Sequence, residues 1–253
     1  MDRRRFLARA TAAATAAATV AAAPQRVFAQ AAPPLRDRLL LDRARAEVAR
    51  NDAALWRRDM VGLADFGLHS AQPRFHLCNM EAGTVESLLV SHGAGSDPEH
   101  DGWLNAYSNM VDSWATSRGA YVTWEWYEGI YGTSMRLSGL EADNSNVFDR
   151  AIVMHAATYA TADHAARWGR LGRSNGCFAI APDLLPGVLY QLSGGRLIVA
   201  DSLGIGPGGE AVVAPPQTAV DFAAAVAQRQ AEAAARAERA AESEAEGAMP
   251  ILP

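Results

Sequence analysis

The feature that most limits the fold is a run of short β-prone segments between residues 74 and 201, each cut off by glycine or another turn residue. Residues 75–80 and 84–91 read as two strands around the turn Glu81-Ala82-Gly83. Residues 119–128 hold Tyr121, Val122, Thr123, Trp124, Trp126 and Tyr127, a dense set of strand formers. Residues 135–137, 151–154 and 195–200 add three more strands, and 182–192 reads as a helix. These segments fit a mainly β fold of packed antiparallel layers with small helices.

The strand at 151–154 ends in His155, and a glycine-rich loop follows: Gly169-Arg170-Leu171-Gly172-Arg173-Ser174-Asn175-Gly176-Cys177. Three glycines in nine residues let a backbone take positive φ and bring its amides close to a ligand. A thiol on such a loop can return to an imidazole at a strand end. Nucleophile, base and oxyanion donors are the parts that acyl transfer needs. Cys177 therefore reads as nucleophile and His155 as base, with the Gly176 and Cys177 amides as oxyanion donors and Ser174 shaping the loop. An imidazolium beside the thiol would lower its pKa. Asn175 can hydrogen-bond but cannot titrate. Arg170 and Arg173 are candidate clamps for substrate carboxylates.

The other candidates read more plainly. His92, His100, Asp97 and Asp101 have zinc-type side chains, but no short paired-ligand spacing supports a metal, and none is expected. Cys78 reads as a small buried residue rather than a disulfide partner of Cys177. Trp124 and Trp126 would share one face of a strand.

Both ends of the chain differ from this middle. Arg3-Arg4-Arg5-Phe6-Leu7, an Ala/Thr run and Ala29-Gln30-Ala31 make residues 1–31 an export signal of twin-arginine type. Residues 32–73 are expected to form a proline-led arm and a helical extension, with Leu39, Leu40, Ala44, Val48 and Leu55 at helical spacing. The catalytic domain is expected at 74–203. Residues 204–253 would be a Gly/Pro linker and an Ala/Glu/Arg-rich helical tail. The formal charge of −5 becomes more negative once the arginine-rich leader is lost, which disfavours nucleic acid or anionic lipid as a partner. All 23 basic residues are arginine.

His155 followed by Ser174-Asn175-Gly176-Cys177 resembles the L,D-transpeptidase catalytic domain (YkuD-like) family. The likeness is closer to its murein L,D-transpeptidase branch, with Gly-Arg-Leu-Gly-Arg-Ser-x-Gly-Cys. Val90-Ser91-His92-Gly93 and Ser134-Met135-Arg136-Leu137-Ser138-Gly139-Leu140-Glu141 are similar to that branch too. The resemblance implies a β-sandwich or partly open barrel and a periplasmic enzyme with no cofactor. It implies peptidoglycan stem peptides on their glycan strand as partners, a Cys177 thioester intermediate, 3,3- or 1,3-crosslinks, and acylation by carbapenems. His92 occupies a matching position in the branch and is expected to border the substrate. One departure stands out: Asn175 lies where the wider family has a second histidine. A thiol L,D-carboxypeptidase or endopeptidase, and a non-catalytic wall-binding module, are the other functions such a chain could serve.

Overall fold

The computed structural model describes residues 33–247, so the expected leader at 1–31 lies outside the described residues. The strands are β1 (Met60–Asp65), β2 (Phe75–Asn79), β3 (Thr84–Leu88), β4 (Gly119–Gly129), β5 (Gly132–Gly139), β6 (Val153–Ala156), β7 (Phe178–Ile180) and β8 (Leu197–Asp201). The α-helices are α1 (Leu35–Asn51), α2 (Ala162–Trp168), α3 (Leu185–Leu192) and α4 (Phe222–Gly247).

All eight strands form one mixed sheet in the order β3-β2-β1-β8-β4-β5-β6-β7. Its two edges approach each other: Ser91, just beyond β3, bridges Ala179 of β7, with the Ser91 N–H donating to the Ala179 carbonyl at 3.0 Å. The sheet therefore curls into a partly open barrel. Two pairs, β1 with β8 and β6 with β7, are parallel, so the layers are not purely antiparallel as expected. A parallel pair needs a crossover. For β6 and β7 that crossover is α2 and the glycine-rich loop after it.

The concave side holds the larger core, including Phe66, Tyr121, Met135, Met154, Phe178 and residues of α3. On the other side α1 buries Leu40, Leu41 and Ala44 against Val61, Leu63, Val122, Leu197 and Val199. Two buried leucines contribute about 4 kcal/mol of burial, which is enough to hold a 17-residue helix on the sheet.

The boundary at residue 74 needs correction. β1 lies between β2 and β8 in the sheet, so 60–65 belongs to the domain rather than to an extension. Every residue of β1 is buried, and without alternation it carries none of the two-residue periodicity that marks a half-exposed strand. In β4 a bulge shifts the register between Thr123 and Trp126. Trp124 packs with the α1 side and donates its indole N–H to Ser138 Oγ at 2.8 Å. Trp126 lines a cavity with Leu185 and Leu189 of α3, and together with Trp124 it lines a groove beside Trp56.

The tail docks through a small area. Phe222, Ala225, Val226 and Arg229 are partly covered, at helical spacing, and almost all of residues 230–243 are exposed. Arg229 lies over the Trp114 ring at 4.7 Å and donates to the Asp112 carbonyl at 2.8 Å. Truncation after Gln217 should lower the melting temperature by only a few degrees. A drop on the order of 10 °C would mean that the helix carries a much larger share of the stability.

Candidate active site

β6 and β7 bring the two chemical groups onto neighbouring strands. Met154 pairs with Phe178 and His155 with Ala179, so Cys177, one residue before β7, falls opposite Val153. In a parallel pair, aligned residues point to the same side. Val153, His155 and Cys177 thus share one side of the sheet.

His155 is buried, and its Nδ1 lies 2.9 Å from the Ala156 carbonyl. A carbonyl only accepts, so Nδ1 carries the proton and Nε2 is left as the basic nitrogen. Tyr131, at the tip of the β4–β5 hairpin, stacks on the ring with centroids 4.6 Å apart. Burial depresses the imidazole pKa below its ordinary 6.5, and the bond to Ala156 opposes this. A depressed pKa keeps the base neutral down to lower pH. The acid limb of kcat/KM should therefore fall below pH 6.5, and a limb centred above that value would contradict this assignment.

Cys177 is buried, and its thiol donates to the Ala151 carbonyl at 3.7 Å. Among the described residues no hydrogen bond joins it to His155, so the thiol turns from Ala151 to reach the imidazole. Burial pushes the thiol pKa up, opposed by the Val153 N–H and by the charge of Arg150. Burial thus works against the lowering that an imidazolium beside the thiol would give.

The local sequence accounts for the loop. Thr161 caps α2 by accepting from the His164 N–H, and Gly169 ends it in the left-handed conformation at φ 72°. Gly176 has φ 112°, and a Cβ there would meet the Ala115 carbonyl at 2.6 Å. Ser174 Oγ donates to the Cys177 carbonyl at 2.7 Å and accepts the Gly176 N–H at 3.1 Å. The Gly176 amide is therefore occupied, and the Cys177 N–H, without a partner among the described residues, is the available oxyanion donor of the two. Asn175 is exposed on the loop.

His92 is not at the surface of the site. It is 1% exposed, with Nδ1 at 2.6 Å from Arg74 Nη2 and Nε2 at 3.1 Å from Asp97 Oδ2. With both nitrogens taken it braces the loop from inside, where its carbonyl accepts the Ser174 N–H at 3.0 Å. The substrate contact expected of His92 is corrected accordingly. Burial lowers its pKa to about 4, so it is neutral. Arg173 donates to the Asp97 carbonyl, and Arg170 to the Trp168 carbonyl at 3.5 Å. Neither arginine forms an ion pair among the described residues. His100 donates to the Leu171 carbonyl at 3.0 Å. Among the described residues no three of His, Cys, Asp and Glu are arranged to hold a metal ion.

A cavity of about 510 Å³ opens beside His155, lined by Tyr131, Ala156, Trp126 and residues of α3. Tyr159 also lies near the thiol, and burial pushes its hydroxyl pKa up to about 12. Tyr131, Tyr159 and Arg150 were not found from sequence. The stretch Asp149-Arg150-Ala151 carries no motif, and only the folded chain returns that arginine to the loop before β4.

A family model described as the L,D-transpeptidase catalytic domain matches residues 39–200. Similar solved structures include an L,D-transpeptidase from Mycobacterium smegmatis, at 16% identity over 56% of this chain and 58% of that one, TM-score 0.36. Another is an L,D-transpeptidase from Mycobacterium tuberculosis H37Rv, at 15% identity over 56% of this chain and 57% of that one, TM-score 0.37. The match spans less than two thirds of the length of each. No curated protein matches the chain.

Proposed function

The chain belongs to the L,D-transpeptidase catalytic domain family, and we propose that it crosslinks peptidoglycan stem peptides through a thioester on Cys177. The observation that carries this reading is the His155 tautomer, fixed by Ala156, with Nε2 free on the strand next to Cys177.

The reaction runs in two halves. Cys177 gives its proton to His155 Nε2 as the sulfur attacks the carbonyl of an L-centred residue in the donor stem. The oxyanion takes the Cys177 N–H. When the tetrahedral intermediate collapses, the C–N bond breaks, His155 returns the proton to the departing amine, and a thioester remains. A side-chain amine of a second stem then attacks, losing a proton to His155. The new amide forms, and the thiolate leaves and is reprotonated. A positioned acid–base of this kind contributes about 10²- to 10⁴-fold. Arg170 and Arg173, which form no ion pair among the described residues, suit the stem carboxylates.

The products are 3,3- or 1,3-linked stems, and the periplasm is where the substrate and the exported chain would meet. A twin-arginine leader fits that location. Arg4→Lys with Arg5→Lys should hold the precursor in the cytoplasm, and normal export of that variant would contradict this route.

Incubation with purified sacculi, followed by mass analysis of the muropeptides, tests the activity. New dimers support crosslinking, trimmed monomers mean that water resolves the thioester, and an unchanged profile means a wall-binding module.

A further inference from the structure

Arg150 occupies an unusual position for a charged side chain. Nη1 donates to the Ser108 carbonyl at 2.8 Å and to Ser117 Oγ at 2.7 Å. Nη2 donates to the Ala115 carbonyl at 2.6 Å. All three acceptors are neutral, and no carboxylate pairs with the guanidinium among the described residues. A half-buried cation held by dipoles alone carries a desolvation cost that an ion pair would have offset. A cage of this kind fixes the charge in space without a hydrogen-bonded counter-charge among the described residues.

The cage is built against the nucleophile. A Cβ placed on Gly176 would lie 3.2 Å from Arg150 Nη2, so the guanidinium packs on the residue just before Cys177. The next residue, Ala151, has φ 51°, a left-handed conformation that costs a non-glycine residue about 1 kcal/mol or more. That turn aims the Ala151 carbonyl at the thiol while the Arg150 side chain runs to the 108–117 loop. Two consecutive residues thus supply the thiol's acceptor and a cation beside it.

We propose that Arg150 is the electrostatic partner of Cys177, a positioning residue that stabilises the thiolate formed when His155 takes the proton. This rests on the thiol acyl-transfer reading above. Before proton transfer the other groups near the thiol carry no positive charge: His155 on β6 is neutral until it takes the proton, Tyr159 keeps its own, and Tyr131 lies beyond the imidazole. Around Arg150 itself, Tyr121 of β4 is neutral, and Asp112 acts on it through space from the 108–117 loop. The effect of Arg150 on the thiol runs in the required direction, downward against burial.

The test is the pH dependence of Cys177 alkylation by iodoacetamide, read peptide by peptide so that buried Cys78 does not contribute. Arg150→Gln should move the midpoint up by about one unit, equal to about a tenfold loss of thiolate at pH 7. Arg150→Lys should stay within a few tenths of wild type. Crosslinking by Arg150→Gln should fall about tenfold at pH 7 and recover as the pH is raised, which a purely structural defect would not do. If Arg150→Gln melts normally and its midpoint is unchanged, the proposal is wrong. Should that variant fail to fold, Ser117→Asp keeps the arginine and gives it a counter-charge. Its midpoint must then rise, and an unchanged midpoint again overturns the assignment. The alkylation readout needs no peptidoglycan, so it stands even if the sacculus experiment shows no crosslinking.

Discussion

His155→Ala is expected to reduce crosslinking at least 10³-fold, and Cys177→Ala to abolish it. The first loses the base beside Cys177: Nε2 of His155 has no partner among the described residues, whereas His92 has both nitrogens engaged inside the loop. The second loses the nucleophile. Asn175→Ala should cost about tenfold or less, because Asn175 is exposed and neither donates nor takes protons at neutral pH. Asn175→His should retain activity. Rates of the four variants on one muropeptide donor separate these roles. Activity of His155→Ala within about tenfold of wild type, together with a dead Asn175→Ala, would reverse the assignment.

The largest effect on stability is expected at Asp65, at the end of β1. Its side chain is 0% exposed. Oδ1 accepts the N–H groups of Gly67, Leu203 and Gly204 at 3.0, 2.7 and 2.8 Å, and Oδ2 that of Ile205 at 2.9 Å. One carboxylate therefore ties the β1 end to the chain leaving β8. Asp65→Ala strands these buried or half-buried donors at about 1–3 kcal/mol each, so a loss of about 4 kcal/mol or more is expected. That corresponds to a fall of about 10 °C in Tm for a domain of this size. Asp65→Asn keeps the acceptor for three of the donors and should fall less. A thermal melt of Asp65→Ala within about 2 °C of wild type would contradict this role.

Much of the fold was legible because β2, β3, β4 and β8 are rich in branched and aromatic residues and end at glycines or polar turns. β1 was not, since a strand buried on both faces has no alternation to read. Parallel pairing left no local mark, because it depends on where the β6–β7 crossover lands. At the site, the strand of His155 and the turn around Gly176 could be read from the chain. The thiol's burial could not: the sequence suggests an imidazole next to a cysteine, whereas burial depends on what closes over them. His92 shows the same limit, because a histidine beside glycine looks available until Arg74 and Asp97 enclose it. Arg150 becomes visible only through three acceptors 33 to 42 residues away along the chain.

The central claim is a covalent bond between Cys177 and the donor stem. Its most direct test is the intact mass of the protein, quenched in acid after brief incubation with a disaccharide-tetrapeptide donor. The expected result is an adduct equal to the donor minus its departing C-terminal portion, located on the Cys177 peptide, absent from Cys177→Ala and discharged by an added amine. No adduct while the donor is consumed, or an adduct that persists in Cys177→Ala, would contradict it.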